Sequence, residues 1–310
     1  GYWAPGFIEG PQNWHFFPAY GWAVARLSLP FGGPPAAPAV GVAFSLFCMV
    51  IGLLVVRQLA RDMHIPDLLV VALLLAYPSS FFLNAVYTES MVLASTAIAL
   101  LAARRRKLWV AGLAAAVATL TRGPGILLLL PIGIIWLDGM RTRPRPWLAA
   151  IPLTLPIAAL GLLMVIIGNT TGDPLAFVHD LPSWNRSSAL PWETLAGALR
   201  RPFADVHPST WYLTPVDTAA ALLGLATSAY LIWRRQFALG VYGLALVALP
   251  LSSGLVAAIN RYTLVNIPMF LVLASITGRR EWLRTSVLIG FATLLGLETA
   301  LFAVGVHSID

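Results

Sequence analysis

Residues 101–125, LAARRRKLWVAGLAAAVATLTRGPG, decide how this chain is read. Four cations, Arg104-Arg105-Arg106-Lys107, give way directly to an uncharged run over 108–121, which stops at Arg122-Gly123-Pro124. The same unit recurs along the whole chain. Apolar stretches of membrane-spanning length follow one another, and every second gap is loaded with Arg or Lys, as at Arg141/Arg143/Arg145, Arg234-Arg235 and Arg279-Arg280. Short basic loops are held in the cytoplasm during insertion, so this alternation predicts which gaps face inward.

Composition agrees. The chain is 58% hydrophobic and 11% charged, too poor in charge to cover a water-facing surface. Spans are expected at 38–57, 66–84, 89–103, 108–121, 124–138, 147–168, 215–233, 237–256, 263–278 and 283–305. This is an all-α polytopic membrane protein with about ten transmembrane helices. Residues 1–310 form a single transmembrane domain. Within it, 1–36 is an outward loop whose piece from Asn13 to Leu29 reads as an interfacial amphipathic helix. Residues 169–214 form a long outward loop, a length uncommon unless functional. Fourteen of the twenty basic residues fall at the inner face, so the net charge of +7 reads as a topology signal and not as a nucleic-acid footprint. Arg26, Arg122, Arg186, Arg200, Arg201 and Arg261 fall on the outer side. Cys48, the only cysteine, sits in an apolar run and permits no intrachain disulfide.

The chemistry-bearing residues gather on the outer side. No Asp-x-Asp, Gly-rich phosphate loop or clustered histidine marks a nucleotide, cofactor or metal site. In Tyr77-Pro78-Ser79-Ser80-Phe81-Phe82-Leu83-Asn84-Ala85-Val86-Tyr87-Thr88-Glu89-Ser90, Thr88 is a candidate helix cap and Glu89 lies in the first turn, where the dipole favours a carboxylate. The functional reading makes Glu89 a carboxylate that binds an acceptor hydroxyl, with Asn84 and Tyr87 beside it. Arg122, Arg186 and Arg261 read either as cations reaching headgroups or as a phosphate clamp, since guanidinium takes phosphate oxygens bidentately. Glu298, embedded in the last span, is a functional candidate or a partner in a buried hydrogen bond to a neighbouring helix. Trp14, Trp184 and Trp211 suit sugar stacking and interface anchoring equally.

In this order these segments resemble the PIG-V family of mannosyltransferases, within the GT-C class of polytopic glycosyltransferases. The resemblance runs through nearly the whole chain. It rests on Gly1-Tyr2 with Glu9 and His15-Phe16-Phe17-Pro18-Ala19-Tyr20; on Phe81-Phe82 through Tyr87-Thr88-Glu89-Ser90; and on Thr119-Leu120-Thr121-Arg122-Gly123. Gly172-Asp173-Pro174-Leu175-Ala176-Phe177 with Trp184 and Arg186, then Arg261-Tyr262 with Pro268, complete it. The resemblance implies a polyprenyl-phosphate sugar donor, with mannose as the expected sugar, and a lipid-linked or protein acceptor at the extracytoplasmic face. It implies no cofactor and no metal. Glu9 and Glu89 become the catalytic carboxylates of this chain, the family's main aspartate being expected upstream of Gly1. His15, Asn84, Tyr87, Arg122, Trp184, Arg186, Arg261 and Tyr262 become substrate-binding residues. The composition looks bacterial, which implies the plasma membrane; a eukaryotic member belongs in the endoplasmic reticulum. A transporter or flippase, or a non-catalytic lipid-binding subunit, is the alternative.

Overall fold

A computed structural model describes residues 17–140, 148–203 and 213–304. Fourteen α-helices make up the described chain, joined by short 3-10 turns and without strands. In order they are α1 (Pro18–Ser28), α2 (Ala37–Asp62), α3 (Asp67–Ala76), α4 (Glu89–Arg104), α5 (Leu108–Thr121), α6 (Leu129–Met140) and α7 (Thr154–Thr171). After these come α8 (Ala176–His179), α9 (Pro191–Arg200), α10 (Leu213–Trp233), α11 (Phe237–Leu251), α12 (Ile259–Leu264), α13 (Ile267–Thr277) and α14 (Glu281–Ala303).

Among the described residues, four stretches are long and apolar enough to cross a bilayer: Pro34–Asp62, Ala150–Thr171, Thr214–Trp233 and Glu281–Ala303. With no water in a hydrocarbon core, a helix satisfies its own backbone, and about twenty apolar residues suffice to span. Four such helices mark an integral membrane protein. Shorter apolar helices fill in between them, including α3, α5, α11 and α13.

Several expected spans are broken, each for a local reason. The stretch 66–84 is not one helix. Tyr77 precedes Pro78, whose ring disfavours helical geometry in its neighbour, and Tyr77 is extended (φ −60°, ψ 140°), which ends α3 at Ala76. The stretch 263–278 begins earlier and splits at Val265-Asn266, where Asn266 leaves helical geometry ahead of the Pro268 turn of α13. In 124–138 and 147–168 the first turns are 3-10, at Gly123–Leu128 and Leu148–Leu153. The interfacial helix expected from Asn13 starts at Pro18, a residue preorganised for a first helical turn; residues before Phe17 lie outside the described residues.

The chain was expected to form one domain, and its contacts gather into two compact units: Gly1–Val55 with Leu83–Arg186, and Val56–Phe82 with Ser187–Asp310. In the first unit α4 and α5 form a hairpin, and glycines let backbones approach. A Cβ at Gly112 would overlap the Pro152 backbone, and one at Gly125 would overlap Ala118. In the second unit, Met269, Phe270 and Leu271 of α13 are fully or almost fully buried, while only 6% of the residues in the apolar window of α14 are buried.

Candidate functional site

In the first unit, four of the singled-out segments converge. Glu89 opens α4 and is completely buried. Thr88 does not cap it by its side chain, because Thr88 is itself helical (φ −77°, ψ −17°) instead of extended as a capping hydroxyl requires. Arg122 follows α5 in extended geometry (φ −158°, ψ 139°). The Gly123–Leu128 turn then folds back on α5, an approach allowed because Gly125 has no side chain. The result carries the Arg122 guanidinium onto Glu89, with Nη1 donating to Oε1 at 2.5 Å. Arg122 is 18% exposed and Glu89 is not exposed at all.

Phe17 joins the other two segments to this pair. A Cβ on Gly123 would meet the Phe17 ring at 3.6 Å, and Phe177 meets Phe17 edge to face with centroids 5.6 Å apart. Phe17, Leu163 and Ile167 form a buried cluster backed by Leu120 and Leu160. Phe177 is placed by the turn after α7. Gly172 closes that helix in the left-handed region (φ 77°), and Asp173 braces the turn into α8. Its Oδ1 accepts from the Leu175 amide at 2.9 Å and its Oδ2 meets His179 Nδ1 at 2.6 Å. These bonds hold the Asp173 carboxyl below its usual range, with His179 the larger cause.

The remaining expected site residues of this unit are more dispersed. Asn84 is exposed and Tyr87 half-buried, both on the turn leading into α4. Trp184 belongs to the 3-10 turn Leu181–Trp184, but its side chain lies outside the described residues. Arg186 is half-buried and follows Asn185, which is left-handed (φ 54°). Glu9 and His15 lie outside the described residues, as do Trp14 and Trp211.

The second unit holds Arg261 and Tyr262 on α12. The Arg261 guanidinium sits 4.2 Å from the centre of the Phe82 ring, a cation–π contact. Around it lies a polar network that the sequence reading did not foresee. Asp217 accepts from the Ala258 amide at 3.1 Å and from the Asn260 amide at 2.7 Å. That carboxylate holds Ala258 in left-handed geometry (φ 65°), a conformation costly for a residue with a Cβ. The Asn260 side-chain Nδ2 donates to both oxygens of Glu298 at 3.1 Å. The buried-hydrogen-bond reading of Glu298 therefore matches the geometry. Ser79 donates to the Asn260 carbonyl at 3.0 Å, and the Tyr77 and Thr263 hydroxyls are 2.7 Å apart. A cavity of about 220 Å³ opens beside this network, bounded by Tyr77, Pro215, Asn260 and Phe291 among others. Glu298 and the Tyr77-Pro78-Ser79 segment were legible in the sequence as candidates; Asp217, 43 residues before Asn260, carried no signal.

Among the described residues no group of three His, Cys, Asp or Glu side chains could hold a metal ion. Compared with known proteins, the chain matches no family, no curated protein and no solved structure.

Proposed function

We propose that this chain is a polytopic glycosyltransferase of GT-C type, with about ten transmembrane segments. It moves a sugar, mannose by preference, from a polyprenyl-phosphate donor to a lipid-linked or protein acceptor. The reaction runs at the extracytoplasmic face of a bacterial plasma membrane. The observation that carries this reading is the convergence around Phe17 and the Glu89–Arg122 pair. Segments at 17–20, 87–90, 119–123 and 172–177, singled out separately, share one end of one compact unit.

A carboxylate and a guanidinium are the two groups such a transfer needs. The acceptor oxygen attacks the anomeric carbon while its proton passes to a carboxylate, a general-base role. The bond from that carbon to the phosphate oxygen breaks, and the negative charge gathering on the lipid phosphate is met by arginine. One displacement inverts the anomeric centre. Arg122 and Glu89 then work by exchange: a donor phosphate oxygen that takes the Arg122 guanidinium releases the Glu89 carboxylate. Arg122, the partly exposed member, is the one that substrate reaches first. Arg186, Tyr87, Asn84 and Trp184 of the same unit serve as further substrate contacts.

The test uses the full-length protein in nanodiscs with radiolabelled polyprenyl-phosphate mannose and a membrane lipid extract. Wild type is compared with Glu89→Gln and Arg122→Ala, each checked for folding. Label that moves to an extract component, and fails to move in both variants, supports the transferase and this site. Transfer that survives both variants removes the site, and absence of transfer by a wild-type protein that binds donor removes the enzyme reading.

A further inference from the structure

Helix α9 has three faces and only two of them are accounted for. At 100° per residue, Pro191, Thr194, Leu195 and Ala198 share one side. Thr194 and Ala198 are buried there, and Leu195 and Ala198 pack with Ala220, Ala221, Val247 and Leu251 of α10 and α11. Glu193, Gly197 and Arg200 share a second, polar side. Trp192, Ala196 and Leu199 share the third. Trp192 is 65% exposed and Leu199 53%, and Phe203, just past the helix, is 59% exposed.

The depth of the helix says what covers the third face. Ala220 and Ala221 lie six and seven residues into the candidate span Thr214–Trp233. At about 1.5 Å per residue, they sit roughly 9–10 Å below its end. Val247 and Leu251 occupy the matching end of α11. The approach to α9 is fastened at that same end, by the Ser187 amide on the Ser253 carbonyl and the Ala189 amide on the Ser252 carbonyl, both at 3.1 Å. A helix packed alongside the first third of a span lies at the level of headgroups and upper acyl chains, not in bulk water.

We infer that α9 is an interfacial helix docked in the bilayer surface, its Trp192–Leu199 face in the acyl boundary and Arg200 with Arg201 on anionic headgroup phosphates. The chemistry fits each part. Tryptophan prefers the interface, where its ring is sheltered and its N–H is wet. Arginines at the end of such a helix extend their apolar stems along it and deliver the charge to the headgroups. This inference does not depend on the transferase reading.

The test places single cysteines in the full chain on a Cys48→Ala background, at Leu199, Ala196 and Gly197. Spin labels there are read in nanodiscs containing anionic lipid, by relaxation with oxygen (lipid-soluble) and with a nickel chelate (water-soluble). The oxygen-to-nickel ratio is expected to be at least about threefold higher at Leu199 and Ala196 than at Gly197, as an interfacial helix requires. Equal ratios, or a higher nickel response at Leu199, would place that face in water and overturn the inference. Low response to both reagents at Leu199 and Ala196 would mean that protein covers the face, which overturns it equally.

Discussion

Replacing Arg122 by alanine removes the guanidinium from a carboxylate that has no solvent exposure. Removing one partner of a buried ion pair typically costs about 3–5 kcal/mol, because the remaining charge stays desolvated. At roughly 2–4 °C per kcal/mol for a chain segment of this size, the melting temperature should fall by about 6–20 °C. Glu89→Gln leaves no buried negative charge and should cost less than Arg122→Ala. The double variant, Glu89→Gln with Arg122→Ala, should be less destabilised than the two singles summed, by about 2–3 kcal/mol of coupling. The assay is a thermal or denaturant melt of the four proteins in nanodiscs, arranged as a double-mutant cycle. Strict additivity, or an Arg122→Ala protein that melts with wild type, would show that the pair is not closed in the native membrane protein.

Other outcomes come from the same geometry. Asn260→Ala strips Glu298 of its amide donor and should cost about 1–3 kcal/mol in the same melt, whereas Glu298→Gln, which keeps an acceptor, should cost less. Gly112→Ala drives a methyl group into the Pro152 backbone and should cost at least about 1–3 kcal/mol, seen as a reduced folded yield by size-exclusion chromatography. The Asp173 carboxyl is depressed in the folded protein, so its bonds contribute above the unfolded value of about 4 and are lost as pH falls through the folded one. Protection of the Leu175 amide in hydrogen exchange, corrected for intrinsic rate, should disappear over that range, and Asp173→Asn should flatten the dependence. On a Cys48→Ala background, Asn185→Cys should react with an impermeant maleimide applied to intact cells, while Lys107→Cys should react only after permeabilisation.

Apolar runs and their basic borders were enough to draw much of the helical frame. The stretch 108–121 emerges with the bounds its flanking Lys107 and Arg122 suggest, because charge at both ends gives the run sharp limits. The breaks were harder. Pro78 and Pro268 sit in strongly apolar surroundings, so hydropathy carried the expected spans across 66–84 and 263–278 where backbone sterics stop them. At the site, sequence singled out Glu89 and Arg122 separately, reading the arginine as a cation for headgroups or for a ligand phosphate. Its contact with Glu89 spans 33 positions and depends on the fold-back at Gly125, which no local pattern announces. Asp217 was invisible for a similar reason: its partners are backbone amides, and a backbone amide has no letter in the sequence.

The contacts of α14 have a consequence for how that helix is tuned. Phe291 meets Tyr77, Glu298 meets Asn260, and Phe302 meets Phe81 and Phe82. Positions 291, 298 and 302 lie within about 40° of one another on a helical wheel, so a single stripe carries these attachments. Only one of them is directional enough to set rotation about the axis, the Glu298 carboxylate held at both oxygens. None of these attachments lies on the rest of the circumference. A bilayer of different thickness will swing the longer N-terminal arm of α14 about that carboxylate, five residues from the helix end at Ala303, while the C-terminal turn stays where Asn260 holds it.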